Sequence, residues 1–168
     1  MYETNRLILR KAVFSDWEQM YRNIWYHEET ARYMLWAVTE SEAAAKERME
    51  RTIAFQQSHH AWLVVEKESG KAIGFAGLRE ESGVCEDTGI AVGPRYVGKG
   101  YGTEILNELV RIAKEGLNAH GFIATCRSEN EASRKMILGC GFRFSHAEPR
   151  VDKRNGEKYT LEFYTKEL

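Results

Sequence analysis

The chain is 168 residues long, 43% hydrophobic and 29% charged, with 14 Gly and 2 Pro, a composition that excludes the collagen-like, low-complexity and disordered classes. At this length a single fold buries roughly 70% of the surface its unfolded chain exposes, so the core needs neither disulfides nor structural metal. Lys plus Arg (24) balances Asp plus Glu (25) to a net charge of −1, which leaves no global basic field to attract nucleic acid or an acidic membrane and makes any anion site local.

Arg6 to Ala12 (RLILRKA) reads as a short strand. It runs into Ser15-Asp16-Trp17-Glu18, a capping-box pattern that predicts a helix start. Trp17, Met20, Tyr21, Ile24 and Trp25 then share one helical face. Tyr26 to Val38 (YHEETARYMLWAV) is aromatic and unperiodic, a candidate substrate wall. Thr39 to Glu42 is a second capping box, opening a helix through about residue 57. From Ala61 the runs AWLVVEK, KAIGFAGLRE and VCEDTGIAVG, separated by Ser69-Gly70 and Ser82-Gly83, predict three successive antiparallel strands. Lys99 to Gly116 is a strong helix, with Ile105, Leu106, Leu109, Ile112 and Ala113 on one face and Gly116 as its stop. Phe122 to Cys126 is a short buried strand, parallel to its predecessor because a helix crosses between them. Glu129 to Leu138 is another helix, stopped by Gly139 and Gly141, and two last strands surround Asn155-Gly156, a hairpin dipeptide. The sum is α+β: three layers, with a mixed, mostly antiparallel central sheet of about seven strands flanked by about four helices. No repeat or linker divides it, so residues 1–168 are read as one domain.

Cys85, Cys126 and Cys140 are odd in number and form no C-x-x-C, which argues against a disulfide framework or a zinc ribbon and for a reducing compartment. His27, His59, His60, His120 and His146 lack metal spacing, so no metal is expected. No run of roughly 18 apolar residues suggests a membrane span, and the charged first ten residues do not read as a signal peptide. The expected location is cytoplasmic.

Gly89 to Glu104 (GIAVGPRYVGKGYGTE) carries the most chemistry. Strand, glycine-rich turn and helix start succeed one another there. Gly98, Gly100 and Gly102 at a helix N-terminus leave backbone N–H groups unpaired and let a ligand approach closely, and the helix dipole favours an anion there. Arg95 and Lys99 add the local positive charge, so the expected ligand is a phosphate or pyrophosphate. A Walker A loop would need Ser or Thr where Gly100 stands, and the G-x-G-x-G spacing is not that of a dinucleotide fold.

These residues resemble the GNAT superfamily of N-acetyltransferases, whose signature of Gln or Arg, two residues, Gly, one residue, Gly or Ala is met by Arg95-Tyr96-Val97-Gly98-Lys99-Gly100. Ile73 to Arg79, Gly98 to Glu104, Asn130-Glu131-Ala132-Ser133 and Gly141-Phe142 fall in the order and approximate spacing of the branch that includes ribosomal-protein N-terminal acetyltransferases. The resemblance spans essentially the whole chain and implies acetyl-CoA as cosubstrate. The pyrophosphate would be held by N–H groups from Gly98 through Lys99, Gly100, Tyr101 and Gly102 to Thr103. The pantetheine arm would lie along the backbone of Ile90, Ala91 and Val92, with Asn130 as a side-chain partner; Asn130 also suits a helix cap.

Direct transfer needs a base for an amine of pKa about 10.4. Asp87 stands where this branch often carries Glu and is the favoured candidate among Glu80, Glu81 and Glu86, against a plain solvated charge. Many family members place a Tyr four residues after the Ala/Ser position, but this chain has Ile137, so Ser133 is taken as the hydrogen-bond donor to the leaving thiol. No cysteine has a base beside it in sequence to support an acyl-enzyme. Trp25, Tyr26, Tyr33 and Trp36 would form one side of the acceptor pocket. The expected reaction is acetyl transfer to a primary amine, a protein N-terminus or small amine, in a ternary complex. The alternative is a catalytically weak CoA- or acyl-CoA-binding module. Neither nucleic acid nor membrane is an expected partner, and the chain is expected to be a monomer or homodimer.

Overall fold

A computed structural model describes residues 1–168. The strands are β1 (Tyr2–Glu3), β2 (Leu7–Arg10), β3 (His60–Glu66), β4 (Ala72–Glu81), β5 (Val84–Val92), β6 (Gly121–Arg127), β7 (Arg143–Val151) and β8 (Lys158–Glu167). They form one sheet in the order β1-β2-β3-β4-β5-β6-β8-β7, antiparallel throughout except for the parallel pair β5–β6. The helices are α1 (Trp17–Met20), α2 (Glu28–Ala31), α3 (Glu42–Ser58), α4 (Tyr101–Arg111) and α5 (Glu131–Gly139); π-helical turns extend α1 through Trp25 and α4 through Gly116. The strand beyond the expected seven is β1, whose two residues are too few to show a period. The additional helix is α2, one turn inside the aromatic segment.

Alternation along β3 explains the three layers. Successive side chains point to opposite faces of a sheet: Trp62 and Val64 join the core beneath α4, while Leu63 joins a second core with Met20, Ile24, Trp25 and Met49 from α1, its π turn and α3. On the α4 side, Ile105, Leu106, Leu109, Ile112 and Ala113 are all buried, as their spacing predicted. Each large apolar side chain sealed there contributes roughly 1.5–3 kcal/mol relative to exposure.

Local starts and turns differ from expectation where side chains found other partners. Residues Phe14–Asp16 form a 3₁₀ turn before α1, and its cap is the Asp16 carboxylate accepting the Val13 N–H at 2.9 Å, with no part for Ser15. Arg10 pins the same carboxylate at 2.7 and 2.8 Å. The cap of α3 is Ser41, which accepts from the Ala44 N–H, while Thr39 accepts from Arg48 at 2.9 Å. Ser82 and Gly83 both take positive φ and make the tight β4–β5 turn. Asn155 does not take positive φ. The β7–β8 connection is instead organised around buried Asp152, whose carboxylate accepts from Arg127 and Arg154. Arg154 also donates to the carbonyls of Ala31 and Trp36, tying this loop to the aromatic segment.

The feature that positions the site is the seam between β5 and β6. It is paired only at Val84–Gly121, Cys85–Phe122 and Glu86–Ile123, after which the strands part. On its other side β5 stays paired with β4 to Val92, apart from a bulge at Thr88.

Candidate active site

Where β5 ends, Gly93 allows the turn after it to pack on the helical layer, because a Cβ there would strike the Asn23 carbonyl. The chain then makes a short 3₁₀ turn, Pro94–Tyr96, and enters α4 through Gly98 (φ 77°) and Gly100 (φ 79°), a left-handed conformation that disfavours side chains. Helix α4 has no side-chain cap, and its first turn precedes the intrahelical ladder, so the N–H groups of Tyr101, Gly102 and Thr103 are free of it. Arg95 and Lys99 are exposed and form no ion pair. The turn is braced from behind. Glu104 accepts from the Arg6 backbone and side chain at 2.7 Å each, and Arg6 also donates to the Lys99 carbonyl at 2.8 Å.

Two turn residues have side-chain surroundings of another kind. The Tyr101 side chain is buried, its hydroxyl donating to Glu66, so only its backbone faces the turn. Gly102 lies so close to α5 that a Cβ would stand 2.6 Å from the Met136 sulfur.

The parting of β5 and β6 opens a cleft of about 470 Å³. Gly93 donates to the Ile73 carbonyl at 2.8 Å. By the alternation of an antiparallel ladder, the main-chain groups of Ala91 therefore face β4, and those of Ile90 and Val92 face the gap. Asp87, at the point of separation, accepts the Thr125 N–H at 2.9 Å across it. Burial pushes its carboxyl up to about 7 from an ordinary 3.8, opposed by the N–H groups of Thr125 and Gly89. Ser133 and Asn130 line the same cleft from the start of α5, and Asn130 caps that helix by accepting the Ser133 N–H at 3.1 Å. Ile137, one turn on, is buried in the core. Tyr159, in the last hairpin that the sequence sets opposite the aromatic segment, brings its ring into the cleft from β8 beneath the Arg127 guanidinium at 3.9 Å. Only the pairing of β8 with β6 brings it there. Burial raises the thiols of all three cysteines, that of Cys126 in the cleft wall to about 11.

The four aromatic residues named for the acceptor are dispersed. Tyr33 and Trp36 line the cleft, whereas Trp25 is a core residue whose ring borders a second cavity, and Tyr26 is 60% exposed and borders neither. That second cavity, about 780 Å³, lies between α3 and the sheet and shares Trp36, Phe75, Thr88 and Gly89 with the cleft.

The family model of the acetyltransferase (GNAT) domain matches residues 6–143. Among curated proteins, the uncharacterised N-acetyltransferase YoaA of Bacillus subtilis is 25% identical over 97% of this chain and 94% of its own. A GNAT-family acetyltransferase structure from Bacillus anthracis superposes with a TM-score of 0.84 at 20% identity, covering 98% of this chain and 96% of that one. The spermidine N-acetyltransferase of Vibrio cholerae, solved with CoA and spermine, gives 0.77 at 18% identity over 98% and 96%. With the family model covering most of its length and the same fold in these two solved structures, the chain belongs to the GNAT acetyltransferase family.

Proposed function

We propose that this protein moves the acetyl group of acetyl-CoA to a primary amine by direct attack while both substrates are bound. The observation that carries the reading is Asp87 at the point where β5 and β6 part. A carboxylate tuned toward neutrality there takes the proton that the amine must lose as its nitrogen bonds to the acetyl carbon. The Ile90 N–H, turned into the gap, donates to the acyl oxygen as negative charge builds on it. The carbon–sulfur bond breaks toward Ser133, whose hydroxyl donates a hydrogen bond to the departing thiolate; the sulfur then takes its proton from solvent, to which Asp87 returns the one it accepted. Asn130 keeps its amide nitrogen for the pantetheine carbonyls while its oxygen caps α5. The free N–H groups of the Gly98–Thr103 turn, with Arg95 and Lys99, hold the pyrophosphate. The raised cysteine thiols support direct attack over an acyl-enzyme, because the thiolate is the nucleophile. Ile137, apolar in the place of a phenol, favours a second reading as a weakly catalytic acyl-CoA-binding module.

Calorimetric titration with acetyl-CoA, dephospho-CoA and ATP with Mg²⁺, then thiol release with a panel of amines, tests the proposal. Acetyl-CoA should bind saturably and thiol release should require an amine. Binding without turnover on any amine shifts the conclusion to the binding module; ATP binding with silence toward acetyl-CoA overturns both.

A further inference from the structure

The larger cavity bears on the identity of the acceptor, an assignment that rests on the transfer chemistry proposed for the cleft. Its walls are aromatic, with Trp25, Trp36, Phe55 and Phe75 among them, and α3 presents Arg48 to it. The Arg48 guanidinium lies 4.6 Å from the Trp25 ring centre and 4.3 Å from that of Trp36. One of its nitrogens donates to Thr39 Oγ1 at 2.9 Å.

No carboxylate lies within ion-pair distance of Arg48; the charged neighbour that acts on it is Arg51, of like sign. The single carboxylate of the cavity, Glu40, is exposed at its edge. Arg48 is half-buried, and burial draws it down to about 10 from 12.5. A guanidinium offers five N–H donors in a rigid fork suited to a carboxylate. A cation withdrawn from water without a counter-charge is costly unless something supplies one. The two indoles hold Arg48 in place and do not neutralise it. The indole N–H of Trp36, on the same wall, is also buried without an acceptor.

We infer that this cavity takes the acceptor and that the acceptor is an anionic amine, an apolar or aromatic amino acid or a close analogue. Its carboxylate pairs with Arg48, its apolar body lies against Trp25, Trp36 and Phe75, and its amine enters the cleft past Thr88 and Gly89, which belong to both spaces. Polycationic amines meet Arg48 and Arg51 and are excluded by charge.

The test has a binding arm and a turnover arm. In the first, the wild-type protein with CoA present is titrated calorimetrically with N-acetylphenylalanine, N-acetylleucine and the corresponding amides. The carboxylates should bind on the order of 10- to 100-fold more tightly, the range for a hydrogen-bonded charge pair. Arg48→Met should abolish that difference and Arg48→Lys should keep part of it; if Arg48→Met fails to fold, the wild-type comparison and Arg48→Lys decide. Equal binding of acid and amide, no binding of either, or a preference that survives in Arg48→Met overturns the inference. In the second arm, thiol release is measured with phenylalanine, leucine, their amides and spermidine. Release with the amides or spermidine as fast as with the acids sinks the inference and leaves the transfer reading standing. Arg48-dependent carboxylate binding with no release does the reverse.

Discussion

Asp87 shows how one residue's surroundings divide its effects. Its carboxyl is held near 7 by burial, so the turnover rate should rise with pH through about 7 and level off above it. Asp87→Asn should remove that limb and lower kcat by roughly 10²- to 10⁴-fold, the range for a positioned base, while acetyl-CoA affinity changes little; steady-state rates across pH check this. For stability the sign runs the other way. A carboxyl whose native value lies above its unfolded one of about 3.9 holds a proton preferentially in the folded state. Its contribution is complete below about pH 4 and is lost as pH rises through 7. Asp87→Asn should therefore raise the melting temperature at pH 8 and leave it nearly unchanged at pH 4. The candidate base was legible only through the resemblance, as the residue standing where that branch often carries Glu. The bulge at Thr88 in the β4–β5 ladder was not, nor was Arg48, because sheet pairing and helix packing set those from distant positions.

At the scale of elements, the sequence was most readable where one period or one turn residue dominates. The apolar stripe of α4 and the Ser82-Gly83 turn are such cases. It was least readable where several polar side chains compete for the same backbone groups, as at Asp16 and Ser41, which cap helices assigned to Ser15 and Thr39. The β7–β8 loop belongs with these. Its Asn155-Gly156 dipeptide signals a tight turn, but Asp152 gathers Arg154 and Arg127 and builds a longer loop. These guanidinium hydrogen bonds hold the Asp152 carboxyl well below the usual range. Its stabilising contribution is thus present above its unfolded value of about 3.9 and is lost as the solution is acidified through the native one. Asp152→Asn should lower the melting temperature at pH 7 by several degrees, with the difference narrowing in strong acid. By loosening Arg154 from Trp36 it should also weaken acceptor binding, seen as a raised KM for the amine at constant acetyl-CoA. Thermal melts and initial rates decide both points.

For the molecule as a whole, the sheet is two antiparallel halves joined by three residue pairs and a helical crossover. Beyond those pairs, the Ile90 and Val92 amides face a gap. Their hydrogen exchange should be fast in the free protein, and so should that of Gly98 to Thr103. At acetyl-CoA concentrations about 100-fold over Kd all of these should slow by about two orders of magnitude, while β7 and β8 stay unchanged. Uniform protection across the sheet would mean that the donor binds elsewhere.

The same gap bears on how a catalytic cycle ends. Apart from the Ile90 N–H and the groups at the transfer point, what it offers, the Val92 N–H, the Asn130 amide and the glycine turn, suits the nucleotide and its amide arm, which are identical before and after transfer. Interactions that hold substrate and product alike lower both free energies without speeding the chemistry. Spent CoA should therefore compete with acetyl-CoA at nearly equal affinity, measurable as competitive inhibition by CoA. Turnover then becomes a matter of how quickly two half-sheets surrender a guest strand, and the cell's ratio of charged to uncharged carrier, more than its total supply, would set the pace of the enzyme.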